Sequence, residues 1–167
     1  GLTIDLSNTA QSQPSATSSP SVGDVFSSIE VVEGSYYRDT FKASSDATRF
    51  VGGDADGSVA DTVDYSASTL DADGVGVTIT LSNPGTAVGS LTPGQGGWAA
   101  GDTFVSIENL TGPAGKDLLT GNSQANVLQG GAGHDTLVGG AGNDTLDGGE
   151  GINTLSYADK TTAVTLT

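Results

Sequence analysis

The chain has 167 residues, of which 20 are Asp or Glu and only 5 are Lys or Arg, so that its formal net charge is −15. This charge disfavours binding to nucleic acid or to an anionic membrane and favours cations as ligands, so we expect no nucleic-acid partner. The chain contains no cysteine, which excludes disulfides and thiolate metal sites. No apolar run approaches the ~18 residues of a membrane helix, so we expect no membrane insertion.

The first predicted elements are short β-strands. The stretches GLTIDLSN (1–8), GVTITLSN (76–83) and AVTLT (163–167) share one alternating pattern of apolar and polar residues, which is typical of strands. Between the first two stretches, Val32, Phe41 and Phe50 recur at every ninth position. Residues 23–53 also align without a gap to residues 101–131, with twelve identities. The first half is therefore expected to keep the register of the second half, interrupted by surface loops.

The second half has a strict nine-residue period. Its apolar positions are Leu110, Leu119, Leu128, Leu137, Leu146 and Leu155, and an acid or amide stands two positions before each of them. This period fits neither an α-helix nor a coiled coil, whereas a short strand followed by a tight turn accounts for it. Such short strands need stacking to supply their hydrogen bonds. The pattern therefore predicts coils of two nonapeptides that stack into two parallel sheets with very little helix.

The glycine-rich turns between these strands are candidate metal sites. In GGAGHD and GGAGND (130–135 and 139–144) the glycines permit a tight curl that directs carbonyl oxygens inward, and the sixth residue adds a carboxylate. Turns stacked one coil apart would then enclose hard oxygen ligands, which favours several Ca²⁺ ions over Mg²⁺ or Zn²⁺. The candidate ligands are Gly112, Asp117, Asn126, Gly130, Gly131, Gly133, Asp135, Gly139, Gly140, Gly142, Asp144, Gly148, Gly149, Gly151 and Asn153.

The candidate turns differ in quality. The two turns at 130–135 and 139–144 carry all three glycines and the aspartate. The turn at 148–153 has an amide, Asn153, in the sixth place, so we expect it to bind more weakly or to close the array. Pro113 occupies the second position of the turn at 112–117, and the turn at 121–126 lacks both later glycines. We therefore expect these last two turns to act as half-sites.

Catalytic interpretations find little support in the sequence. His134 is the only histidine, and we interpret it as a solvated turn residue. A Ser-His-Asp triad would have to use this histidine inside a calcium turn, so we expect no catalytic residue and no enzyme activity in this chain. Tyr36, Tyr37 and Trp98 are aromatic residues that either pack against the fold or stack on sugars.

The three consecutive phrases at 130–156 resemble the RTX (repeats-in-toxin, hemolysin-type) calcium-binding nonapeptide repeat. The resemblance implies an all-β fold, a parallel β-roll or β-helix solenoid with calcium-binding glycine-rich turns. It also implies folding on calcium outside the cell and type I secretion from a Gram-negative bacterium. We accordingly divide the chain into degenerate β-roll coils with irregular surface loops at 1–100 and a regular RTX β-roll at 101–167, which runs into the start of a further repeat.

Three functions remain open at this stage. The main hypothesis is a calcium-binding structural or adhesive segment of a larger secreted protein of the adhesin or surface-layer (S-layer) type, because a 78-residue repeat suits a spacer or a lattice. Its partners would then be calcium and neighbouring copies or repeats, or glycans of a cell surface. The alternative is the C-terminal secretion and folding module of an exported lipase, peptidase or polysaccharide epimerase. The third is a ligand-binding module that uses the Trp98 loop.

Overall fold

The structure is a computed structural model that describes residues 1–7, 28–53, 58–70 and 74–161. The predicted strand at 163–167 lies outside these residues. The described strands are β1 (Thr3–Asp5), β2 (Val31–Glu33), β3 (Thr40–Lys42), β4 (Arg49–Val51), β5 (Thr62–Asp64), β6 (Val75–Thr80), β7 (Thr103–Val105), β8 (Asn109–Thr111), β9 (Lys116–Thr120), β10 (Val127–Gln129), β11 (Ala132–Gly133), β12 (Thr136–Val138), β13 (Thr145–Asp147), β14 (Glu150–Gly151) and β15 (Thr154–Leu155). The helical content of this part is two 3-10 turns, Val88–Ser90 and Gly97–Ala99.

All pairs between these strands are parallel, which confirms the predicted all-β fold with parallel sheets. A six-stranded sheet has the order β1-β3-β5-β8-β10-β13, a four-stranded sheet β15-β12-β9-β6, and a three-stranded sheet β2-β4-β7. Strands β11 and β14 form a separate pair. The prediction of two sheets was therefore wrong. The chain between β5 and β8 contributes two strands, β6 and β7. Strand β7 pairs in the three-stranded sheet and β6 pairs in the four-stranded sheet, so the strands outside the six-stranded sheet do not form one continuous sheet.

The predicted stacking offset of two nonapeptides is confirmed in the regular segment. Leu128 pairs in register with Leu110 and Leu146, and Leu137 pairs with Leu119 and Leu155. In the first half the same offset holds between Val32 and Phe50.

Elsewhere the predicted offset is wrong. Phe41 pairs with Val63, Val63 with Leu110, and Phe50 with Phe104, and each of these partners lies farther along the chain than two nonapeptides. Loops of different length lie between these coils. A longer loop adds only slowly to the free energy of bringing two strands together, so a nearly regular stack tolerates irregular spacing.

The two copies of the 78-residue repeat do not occupy the same place in the roll. Strand β2 lies in the three-stranded sheet, whereas its counterpart β8 lies in the six-stranded sheet. Strand β3 lies in the six-stranded sheet, and its counterpart β9 lies in the four-stranded sheet. The loops and additional strands between the two copies change the number of half-coils, so similar sequences lie on different sides.

The core changes character along the stack. Phe50 packs against Phe41 at 5.8 Å and against Phe104 at 6.1 Å between ring centroids, and Tyr65 meets the edge of Phe104 at 6.5 Å. The regular segment is held instead by single leucines, which are buried up to Leu137. Leu155, in the outermost described coil, is 47% exposed. We call the coils that contain Phe41, Phe50, Tyr65 and Phe104 the aromatic coils. Burial of apolar side chains therefore stabilises the repeat segment less than it stabilises the aromatic coils.

Candidate calcium-binding turns

The glycine turns stack directly on one another with the predicted spacing. A Cβ atom built on Gly131, which has a φ of 101°, would lie 2.4 Å from the carbonyl oxygen of Pro113. A Cβ atom on Gly140, with a φ of 84°, would lie 2.2 Å from the carbonyl oxygen of Asn122. In both pairs the two residues are separated by one coil. Glycine is therefore required here both for the left-handed backbone and for the close approach of successive turns.

The turns form two columns, one on each edge of the roll. The turns 112–117, 130–135 and 148–153 lead into the four-stranded sheet, and we call this column the four-strand edge. The turns 121–126 and 139–144 lead into the six-stranded sheet and form the six-strand edge. Asp135 and Asp144, the acids of the two complete turns, therefore lie on different edges and do not share an ion.

The sixth residue of four turns, Asp117, Asp135, Asp144 or Asn153, has a structural role that the sequence analysis missed. One of its side-chain oxygens accepts a hydrogen bond from the backbone N–H of the coil before it. Asp135 Oδ1 accepts from Asp117 at 2.9 Å, and Asn153 Oδ1 accepts from Asp135 at 2.9 Å. The same bond joins Asp117 to Val77, Asp144 to Asn126, Glu108 to Asp61, Asp61 to Asp39 and Asp102 to Thr48. We call this series the acid ladder.

The second oxygen of two of these acids is available for a cation. Asp117 and Asp135 are each 1% exposed, and their Oδ2 atoms are buried without a hydrogen-bond partner in the described part of the chain. A Cβ atom on Gly112 would lie 2.6 Å from Asp117 Oδ2 and 2.5 Å from the carbonyl oxygen of Gly130. A carboxylate oxygen and a carbonyl oxygen of the next turn therefore flank the same point. This donor set fits a hard cation such as Ca²⁺.

Burial raises the pKa of Asp117 to about 7, the N–H of Val77 opposes this rise, and the negative charge of Asp135 adds to it. Within the described ranges, no three acidic or histidine side chains form a cluster suited to a metal ion. Backbone carbonyl oxygens would therefore have to provide most of the ligands at these turns.

A comparison with known protein families bears directly on this segment. Residues 120–155 match the RTX calcium-binding nonapeptide repeat in four copies. The match confirms the RTX-type repeat and the expectation of calcium as its ligand for the segment it covers. No curated protein matches the chain. In the described residues, no helix has the length and apolar character needed to cross a membrane.

Side-chain donors of the protein bond to oxygens at both RTX turns of the six-strand edge. The Nδ2 group of Asn126 donates to the carbonyl oxygen of Glu108 at 2.7 Å and to Asn122 Oδ1 at 3.1 Å. In the turn 139–144, the ammonium group of Lys160 donates to the carbonyl oxygen of Gly140. Asp144 is only partly buried and lines the same pocket as Lys160.

The histidine and the aromatic residues considered in the sequence analysis differ in their exposure. His134 is exposed, as expected, but its Nδ1 atom also accepts the backbone N–H of Ile152 at 2.9 Å and so joins two stacked turns. Trp98 is partly buried against the core, and its backbone N–H donates to Ser68 Oγ at 3.0 Å. Tyr36 and Tyr37 are 80% and 71% exposed.

A buried polar pair in the aromatic coils was also missed. Asp102 is completely buried, its Oδ1 accepts the N–H of Thr48 at 2.7 Å, and its Oδ2 accepts the hydroxyl of Tyr65. Burial raises the pKa of Asp102 to about 6, while the hydrogen bonds from Tyr65 and Thr48 oppose this rise. Burial, together with the charge of Asp102, raises the pKa of Tyr65 well above its usual value. The regular position of Asp102, directly before a strand, was the available signal.

Proposed function

We propose that this chain is a noncatalytic structural segment of a secreted bacterial RTX protein, of the adhesin or surface-layer type, whose repeat coils fold when they bind calcium outside the cell. The observation that carries the proposal is the pair of buried carboxylate oxygens of Asp117 and Asp135, which lack a hydrogen-bond partner in the described residues and lie in stacked glycine turns. The turn of Asp135 lies within the segment that matches the RTX repeat. Two buried like charges without a neutralising partner destabilise the folded coils.

Bound calcium would raise the stability of the folded coils directly. The repeat coils bury about one leucine per strand, which contributes only about 1.5–3 kcal/mol for each leucine, against an ordering cost of roughly 1–2 kcal/mol for the backbone of each residue. An ion that binds only the folded coils adds its binding free energy to their stability. Extracellular calcium sites commonly have dissociation constants of about 10⁻⁴–10⁻³ M. The segment would therefore stay unfolded in a calcium-poor cytoplasm and fold after export from a Gram-negative cell.

The structural role is supported by the architecture of the chain. Sheets that continue from coil to coil suit a spacer or a lattice element, and the 78-residue repeat suits an array of such units. Neighbouring repeats or cell-surface glycans would then be the partners of the surface. Sequencing the regions that flank this segment tests the assignment: further 78-residue units would support the array, and an adjoining catalytic domain would favour the secretion module of an enzyme.

A calcium titration followed by far-ultraviolet circular dichroism tests the calcium dependence. We expect the β signal of the EGTA-treated chain to rise with calcium and to fall again on chelation, and we expect magnesium at the same concentration to have little effect. The double variant Asp135→Ala, Asp144→Ala should need more calcium and bind fewer ions. A β signal that ignores both calcium and chelator would reject the proposal.

A further inference from the structure

We propose that calcium loading is asymmetric: the first ion binds on the four-strand edge, between the turns 112–117 and 130–135, while protein donors occupy much of the six-strand edge. This inference rests on the proposed calcium function and adds an order of binding. It differs from the ranking by glycine content, which places the turn 139–144 beside 130–135 and treats 112–117 as a half-site. The new order follows from the buried Oδ2 atoms of Asp117 and Asp135, which lack a hydrogen-bond partner in the described residues.

The four-strand edge has two uncompensated carboxylates on adjacent coils. The N–H of Asp117 donates to Asp135 Oδ1, which holds the two acids one coil apart, and both Oδ2 atoms are buried without a partner. In the described part of the chain, the ion pairs join Lys42 with Asp5 and Lys160 with Asp159. No basic side chain there neutralises Asp117 or Asp135.

The inner end of the six-strand edge is closed by side-chain amides. Asn122 and Asn126 are both buried. Asn126 Nδ2 donates to the carbonyl oxygen of Glu108, and Asn122 Nδ2 donates to the carbonyl oxygens of Ser82 and Ile107 at 3.1 and 3.2 Å. Asn126 Oδ1 accepts the N–H of Asn122 at 2.9 Å. The carbonyl oxygens of the chain beside the turn 121–126 thus already have amide donors.

The outer end of the six-strand edge carries a tethered positive charge. Lys160 lies one coil, or two nonapeptides, after Gly142, so it takes the place of the third glycine of the next turn. Its ammonium group donates to the carbonyl oxygen of Gly140 and pairs with Asp159 at 2.8 Å. Of the two RTX turns on this edge, only the turn 139–144 has an acid, Asp144, in its sixth position, and Glu108 lies in the same column one coil before Asn126. A calcium ion here would meet one such carboxylate and would compete with Lys160.

Isothermal titration of calcium into the chelator-stripped chain tests the order with a matched pair, Asp117→Asn and Asp144→Asn. Asparagine keeps the Oδ1 acceptor of the acid ladder but removes the charge. We expect Asp117→Asn to weaken the tightest ion by about tenfold or more, since ligand charge sets calcium affinity. Asp144→Asn should act on a later and weaker binding step. Asp46→Asn, in the exposed loop before β4, controls for the loss of one negative charge.

A second variant tests the tethered charge. Lys160→Met should strengthen a later calcium-binding step by about threefold or more, because the competing positive charge is removed. If Asp117→Asn fails to fold in millimolar calcium, Asp135→Asn takes its place in the comparison with Asp144→Asn.

The outcomes separate this inference from the proposed function. A wild-type chain that binds no calcium rejects the proposed function. Calcium binding whose tightest step is weakened equally by Asp117→Asn and Asp144→Asn, or more by the latter, overturns only the order of loading. An unchanged titration of Lys160→Met overturns the competition by Lys160.

Discussion

Replacing Asp102 with asparagine should remove a pH dependence from the stability of the aromatic coils. Burial raises the pKa of Asp102 from 3.8 to about 6 in the folded chain, so between these values the folded chain holds a proton that the unfolded chain has released. The free energy of unfolding must therefore fall as pH rises through this window. At about 1.4 kcal/mol for each pH unit of the shift, Asp102 contributes a total loss of about 3 kcal/mol, of which about 2 kcal/mol falls between pH 4 and pH 6.

The measurement is urea unfolding of the wild type and of Asp102→Asn at several pH values between 4 and 7, in the same excess of calcium. The difference in unfolding free energy between the two proteins cancels the titration of the other acids. We expect the wild type to lose stability relative to Asp102→Asn as pH rises, and then to reach a constant difference. Tyr65→Phe removes a hydrogen bond that opposes the raised pKa, so it should move the transition to higher pH. A difference that is flat with pH, or that grows in the wild type's favour, would refute this account of Asp102.

Two further predictions concern the repeat turns. In excess calcium, urea unfolding should give Asp135→Ala a free energy of unfolding about 1–3 kcal/mol lower than that of Asp135→Asn, because only alanine leaves the buried N–H of Asp117 without its acceptor. Equal free energies of unfolding would contradict the acid ladder. Gly140→Ala should lower the melting temperature and the calcium affinity more than Gly85→Ala does. Both glycines have positive φ, 84° and 76°, but only the Cβ atom at 140 would meet backbone, the carbonyl oxygen of Asn122, whereas the space at 85 is open. Equal effects would show that backbone conformation alone explains these glycines.

The sequence was sufficient for the local architecture of the repeats. A regular grid of leucines implied short strands, and a strand that cannot stand alone implied a stack whose coil holds two nonapeptides, as the pairing of Leu110 with Leu128 confirms. The decline of burial toward Leu155 was not visible, because each nonapeptide carries the same apolar residue whatever its position in the stack.

Spatial neighbours in the first half could not be derived from spacing. Phe50 and Phe104 stack on each other although they lie far apart in the chain, and loop length says little about which strands meet. The sequence also does not reveal that the two oxygens of one acid can have different roles. A carboxylate at a fixed position predicts a ligand, but only the three-dimensional structure shows that Asp135 Oδ1 accepts a backbone hydrogen bond while Oδ2 does not.

The acid ladder has a direction, and this makes the two ends of the roll unequal. Each member of the ladder, acid or amide, accepts a hydrogen bond from the coil that precedes it in the chain, as Asp61 does from Asp39 and Asn153 does from Asp135. Removing a coil from the carboxyl side therefore strips a backbone donor of its acceptor, whereas removing one from the amino side leaves a carboxylate without its donor. Each newly added coil completes the one before it, so growth of the roll from its amino side can proceed one satisfied layer at a time.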